Sequence, residues 1–120
     1  MKFLLIIALM FSGATQASEW ILIGENPHSA EIESASIELE LWNYISKSVT
    51  VVFQERSTYS YQYKYLSNEH ILINAVCGIE DYKYRYKRLV QVFDGGSCYF
   101  ESKYDLQTKK FTDLWVNGEA

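Results

Sequence analysis

Cys77 and Cys98, together with His28 and His70, are the residues of this chain whose types could carry covalent, redox or metal chemistry. Two thiols can bridge, ligate a metal or supply a nucleophile, and their setting decides which. A structural zinc site needs four ligands, and the two histidines stand at no spacing that a zinc site uses. Nucleophilic catalysis needs a base held beside Ser or Cys. His28 falls in a turn segment and His70 follows Glu69 at the expected start of a strand, with no nucleophile elbow or comparable motif around either. Gly95-Gly96 reads as part of a hairpin with no helix after it, so no phosphate-cradling loop is expected. The reading is therefore of a chain without cofactor, metal or catalytic residues, in which Cys77 and Cys98 form a disulfide. In the chain-entropy account such a bridge stabilises the fold by roughly 3 kcal/mol.

The first residues give the compartment in which that bridge would persist. Met1-Lys2 supplies a positive charge, Phe3 to Phe11 is apolar, and Ser12 to Ala17 is small and polar, the layout of a cleavable secretory signal peptide. Residues 1–17 are expected to be removed and residues 18–120 to form one exported domain, periplasmic or extracellular, where disulfides survive. The apolar stretch is shorter than the ~20 residues that span a bilayer, and no second long apolar run follows, so no membrane span is expected after processing.

The elements that must position these residues are read mainly from tyrosine. Seven of the ten tyrosines stand at alternate positions in two runs, Tyr59, Tyr61, Tyr63 and Tyr65, then Tyr82, Tyr84 and Tyr86. A period of two belongs to extended strands and places the rings of each run on one face. Both runs are read as strands, neighbours in one sheet, with the first ladder the more packed and the second the more exposed. Further strands are expected over Trp20–Gly24, Ala30–Glu33, Val49–Phe53, His70–Cys77, Arg88–Phe93, Cys98–Tyr104 and Phe111–Val116, with Asp94-Gly95-Gly96-Ser97 as a hairpin turn. Residues 37–46 fit two patterns. Ile37-Glu38-Leu39-Glu40-Leu41 alternates as a strand does, whereas Ile37, Leu41, Trp42 and Ile45 share one face of a helix; the β-branched segment that follows tilts the reading to strand. The expected fold is mainly β, all-β or α+β with at most one or two short helices, built on a single antiparallel sheet that runs as a meander in the C-terminal half.

Charge narrows the partners. Residues 18–55 carry seven acidic side chains against Lys47 alone, and the remainder is close to neutral. An acidic exported chain is a poor ligand for phosphate backbones, so nucleic acid is not an expected partner. Tyrosine supplies rigid contact area and is enriched at protein hot spots. The candidate binding surface therefore comprises Tyr59, Tyr61, Tyr63, Tyr65, Tyr82, Tyr84 and Tyr86 with the interleaved cations Lys83, Arg85 and Lys87. The acidic N-terminal half is a second surface, suited to a cationic partner. The expected function is binding of a host or envelope protein, adhesin-like or inhibitor-like. The alternatives are a structural envelope component that forms homo-oligomers and, further off, a small hydrolase.

The layout resembles small exported bacterial proteins of the surface-adhesin protein E type. The resemblance runs over about residues 20–95, through Trp20, the Ile32–Ile37 stretch, Trp42 and the Ile73–Arg85 run around Cys77. It implies a single antiparallel sheet with limited helix, and host-protein binding in some members. The ending, Tyr104 to Ala120 with its Asp105–Lys109 turn, is similar to the closing hairpin of small cystatin-like and periplasmic inhibitor domains. Neither likeness assigns a binding role to a numbered residue, and a shared fold does not carry function.

Overall fold

A computed structural model describes residues 18–48 and 51–118. Five strands, β1 (Trp20–Leu22), β2 (Tyr59–Tyr65), β3 (His70–Cys77), β4 (Tyr99–Asp105) and β5 (Lys110–Val116), form one sheet in the order β1-β2-β3-β4-β5. One α-helix among the described residues, α1 (Ser34–Ser48), connects β1 to β2. Strands β2 to β5 are an antiparallel meander, whereas β1 lies parallel to β2, with Trp20 opposite Tyr61 and Leu22 opposite Tyr63. A parallel neighbour needs a crossover connection, and α1 is that crossover. The fold is mainly β with a single helix, as the sequence led us to expect. The signal-peptide reading of residues 1–17 lies outside the described residues.

Residues 37–46 are helical, which corrects the strand reading. Ile37, Leu41 and Ile45 stand four apart and are all buried, whereas Leu39, which strand alternation would bury with Ile37 and Leu41, is 54% exposed. The need to cover a sheet face decided between the two periods. Tyr59, Tyr61 and Tyr63 of β2, Ile71, Ile73 and Ala75 of β3, and Phe100 and Tyr104 of β4 all point to one side of the sheet, and α1 packs its apolar stripe over them. An aromatic face of that size left in water would forgo the main driving force of folding.

Four other expected strands are absent among the described residues. Ala30–Glu33 and Val51–Phe53 are irregular, with Val52 exposed and Phe53 tucked against Trp42 and Phe100; Val49 and Thr50 lie outside the described residues. The second tyrosine run is a series of turns, with Arg85 N donating to Tyr82 O and Lys87 N to Tyr84 O at 3.1 and 2.8 Å. Arg88–Phe93 is likewise irregular, so Asp94–Ser97 turns the chain into β4 without closing a hairpin.

The segment from Ile79 to Phe93 lies across the second face of the sheet. Ile79 and Val90 form a smaller apolar cluster there with Ile21 of β1, Ile23 just after it and Val76 of β3. Two buried amides from the sheet hold the segment down. Gln62 donates to the carbonyls of Arg85 and Arg88, both at 2.8 Å, and accepts from Val90 N at 2.7 Å; Asn74 donates to Gln62 and to Val90 O, both at 2.9 Å. The side-chain amides thus supply the partners that a neighbouring strand would have supplied.

Candidate ligand cleft

The expected site residues separate into two groups. Tyr59, Tyr61 and Tyr63 are buried and Tyr65 is half-buried at the sheet end, so the first ladder is core and not a contact face. Burial pushes the Tyr61 hydroxyl well above the usual phenol range, and it accepts from Trp42 Nε1 at 2.8 Å. In the second run, Tyr82 and Tyr84 are half-buried and Tyr86 is 56% exposed, with Lys83 and Lys87 in solvent. Arg88 stacks on Tyr84 at 4.0 Å and Arg85 on Tyr86 at 4.7 Å, so part of this cationic cluster is already engaged with its own rings. Tyr86 Oη donates to Glu19 at 3.1 Å, tying the loop to the chain leading into β1.

Cys77 ends β3 and Cys98 stands just before β4, side by side at 2.5 Å. Burial, reinforced by Cys98, pushes the Cys77 thiol up to about 12, far from a reactive thiolate. His70 is exposed. Its Nδ1 lies 3.1 Å from Ser67 Oγ and its Nε2 lies 3.3 Å from Asp105. The chain Ser67–His70–Asp105 has the residue types of a hydrolytic triad, but each group also serves a turn. Ser67 Oγ accepts from Glu69 N, and Asp105 Oδ1 accepts from the backbone of Gln107 and Thr108. Those turn bonds hold the Asp105 carboxyl below the usual carboxylate range. Among the described residues no cluster of His, Cys, Asp and Glu has the arrangement of a metal site, and no helix is long and apolar enough to cross a membrane.

An apolar cleft lies elsewhere, where the irregular 90–93 segment meets β4 and β5. A cleft of about 170 Å³ is walled there by Val92, Phe93, Tyr99 and Trp115, with Glu101 and Asn117 as polar members. Phe93 is 99% exposed and Trp115 62%. Hydrogen bonds anchor the Val92–Asp94 backbone and Tyr99. Asn117 donates to the carbonyls of Val92 and Asp94, and the hydroxyls of Tyr99 and Tyr82 are hydrogen-bonded at 2.6 Å. Gly95, at φ 103°, lies against the Tyr99 ring so closely that any Cβ would strike it, which requires glycine at the cleft's end.

A backbone irregularity puts Trp115 in the cleft. Phe111 and Trp115 are four residues apart and would share a face in a regular strand. Asp113 adopts φ 56° and the β4–β5 register shifts between Glu101 and Lys103, so one residue is inserted. Phe111 consequently faces α1 opposite Tyr104, while Trp115 faces the other side opposite Glu101. The sequence reading missed Phe93, Glu101 and Trp115; the signal that could have found Trp115 is a large aromatic beside an Asp that interrupts the strand.

Glu101 is half-buried and has no hydrogen-bond or ion-pair partner among the described residues. Burial raises its pKa. The nearest cation along the same face of β4, Lys103, pairs with Asp113 at 3.6 Å. A carboxyl whose folded pKa is raised binds its proton more tightly when folded. Stability is therefore greater below the unfolded value of about 4.3 and is lost as pH rises through the folded one. Glu101→Gln is expected to raise Tm at pH 7 and to leave it unchanged at pH 3, as read by thermal melts at the two pH values.

No protein-family model matches this chain, and neither does any curated protein or solved structure.

Proposed function

We propose that this chain is an exported, non-catalytic binding protein that takes a protruding side chain of a protein partner into the cleft between Trp115 and Phe93. The observation that carries the reading is that pair of exposed aromatics flanking a concavity whose carboxylate has no partner among the described residues. At about 170 Å³ the cleft is smaller than the ~300 Å³ at which drug-sized ligand sites begin, which suits one side chain better than a whole metabolite. The register shift and left-handed Asp113 also interrupt β5, the long edge of the sheet, and such interruptions discourage edge-to-edge pairing between copies. That favours a cleft-binding role over a homo-oligomeric envelope component.

Export rests on the layout of residues 1–17, and the adjacency of Cys77 and Cys98 supports a disulfide in the exported form. Protein recovered from an oxidising compartment is expected to have the mass of the chain less two hydrogens and no thiol that reacts with alkylating reagent under denaturation. Reduction is expected to cost about 3 kcal/mol in urea unfolding.

The function itself is tested by passing lysozymes and extracellular-matrix proteins over the immobilised chain and over a Phe93→Ala, Trp115→Ala double variant. Retention of at least one protein by the parent and its loss in the variant is the expected result. No retention of either class, or retention that the variant leaves intact, overturns the reading.

A further inference from the structure

We propose that the cleft recognises a cation, the guanidinium or ammonium end of an arginine or lysine side chain on the partner protein, with Glu101 as its counter-charge and Trp115, Phe93 and Tyr99 as its walls. The inference rests on the binding reading above and specifies its ligand chemistry. Three observations converge on it.

The first is charge. Glu101 is the one carboxylate lining the cleft, and it is half-buried without a partner among the described residues. A partly desolvated carboxylate gains from a cation or donors beside it, and none of the described residues supplies one. Its cross-strand neighbours are Asn74, whose amide is committed to Gln62 and Val90, and Trp115. Lys103, the next side chain on that face, is turned to Asp113.

The second is the aromatic surround. Ring faces attract cations through their quadrupole, best from Trp, and rings grouped around a small concavity are the usual receptor for alkylammonium and guanidinium groups. Trp115 and Phe93 hold most of their surface in solvent with no cation among the described residues over either ring, whereas Tyr84 and Tyr86 already carry Arg88 and Arg85. The same chain thus uses the same contact internally and leaves one set of rings open.

The third is shape. The apolar walls fit the methylene stem of a long cationic side chain, while the charged end meets the carboxylate.

The probes are N-acetyl-arginine amide and N-acetyl-lysine amide, with the uncharged isostere N-acetyl-citrulline amide as control, titrated against the ¹⁵N-labelled chain while the Trp115 indole N–H is followed by NMR. A saturable shift is expected with at least one cationic probe, with citrulline at least tenfold weaker, and with Glu101→Gln lowering the cationic affinity at least tenfold. The same curve for arginine and citrulline means a neutral occupant and overturns the proposal. So does an unchanged affinity in Glu101→Gln, or the absence of any shift with both cations. Because Glu101→Gln is expected to be more stable at neutral pH, lost binding in that variant is not unfolding. In the retention experiment, a partner lost by the aromatic double variant but kept by Glu101→Gln overturns the cation and leaves the cleft reading standing. A partner kept by both overturns both.

Discussion

Gln62→Ala is expected to cost about 4 kcal/mol, because two buried and two part-buried groups lose their partner at once and each unsatisfied buried group costs about 1–3 kcal/mol. The side chain is fully buried and its amide uses all of its main capacity: two donors go to Arg85 O and Arg88 O, and the oxygen takes bonds from Asn74 and Val90. Alanine cannot replace any of these. The loss has an upper limit, since the segment can lift from the sheet and let water satisfy the freed carbonyls; the cost then becomes exposure of Val90 and Ile79. The two outcomes are separable. Urea unfolding gives the global loss, and amide exchange at Val90, the group bonded to Gln62, reports local release ahead of the core strands. An amide at Val90 that stays as protected as those of β3, with a global loss below about 1 kcal/mol, would show that the segment is held by its apolar contacts and not by the amide clamp. Release of the segment also removes Val92 and Phe93 from the cleft, so binding should fall with protection at Val90.

The two tyrosine runs show what alternation can and cannot convey. They have the same period, yet Tyr59–Tyr65 is a central strand and Tyr82–Tyr86 is a chain of turns. The difference lies in the partners of the backbone. β2 has β1 on one side and β3 on the other, whereas the carbonyls of Arg85 and Arg88 are claimed by a side chain projecting from the sheet. Nothing within residues 82–88 announces that Gln62, more than twenty positions earlier, will cap them. The helix was ambiguous for a related reason. Ile37, Leu41 and Ile45 satisfy the helical period, Ile37, Leu39 and Leu41 the strand period, and only the existence of an aromatic sheet face to be covered chooses between them. β3, β4 and β5 were legible as strands from their apolar runs and flanking turns, but the β3–β4 pairing was not, because the expected hairpin placed Arg88–Phe93 beside β4. The cleft was not legible. Its members come from an irregular segment and two strands, and Trp115 reaches it through an inserted residue that reverses its face.

Tyr61→Ala is expected to be among the most damaging single changes, at about 4 kcal/mol, the range for removing a fully buried aromatic ring from a core. Tyr61 has no exposed surface, stacks on Trp20 with ring centroids 4.5 Å apart, and lies in the middle of the strand on which α1 rests. Truncation therefore opens a cavity between helix and sheet that relaxation can close only by moving α1 or β1, and β1 has just three residues in the sheet to resist with. Tyr61→Phe divides the effect. It keeps the ring and removes only the hydroxyl, which accepts from Trp42 Nε1 at 2.8 Å and reaches Glu38 at 3.4 Å; the loss should be about 1–2 kcal/mol, mainly the unpaired indole N–H. Tyr86→Ala, at the exposed end of the other run, should fall within about 0.5 kcal/mol of the parent, as surface substitutions usually do. Chemical unfolding of the three variants checks the order. If Tyr86→Ala were as damaging as Tyr61→Ala, the second run would have to be packed as tightly as the first, and the division of the tyrosines into a core ladder and a surface loop would fail. If Tyr61→Phe accounted for most of the loss, the hydroxyl network among Trp42, Tyr61 and Glu38 would be the element that fixes α1 to the sheet, with ring packing secondary.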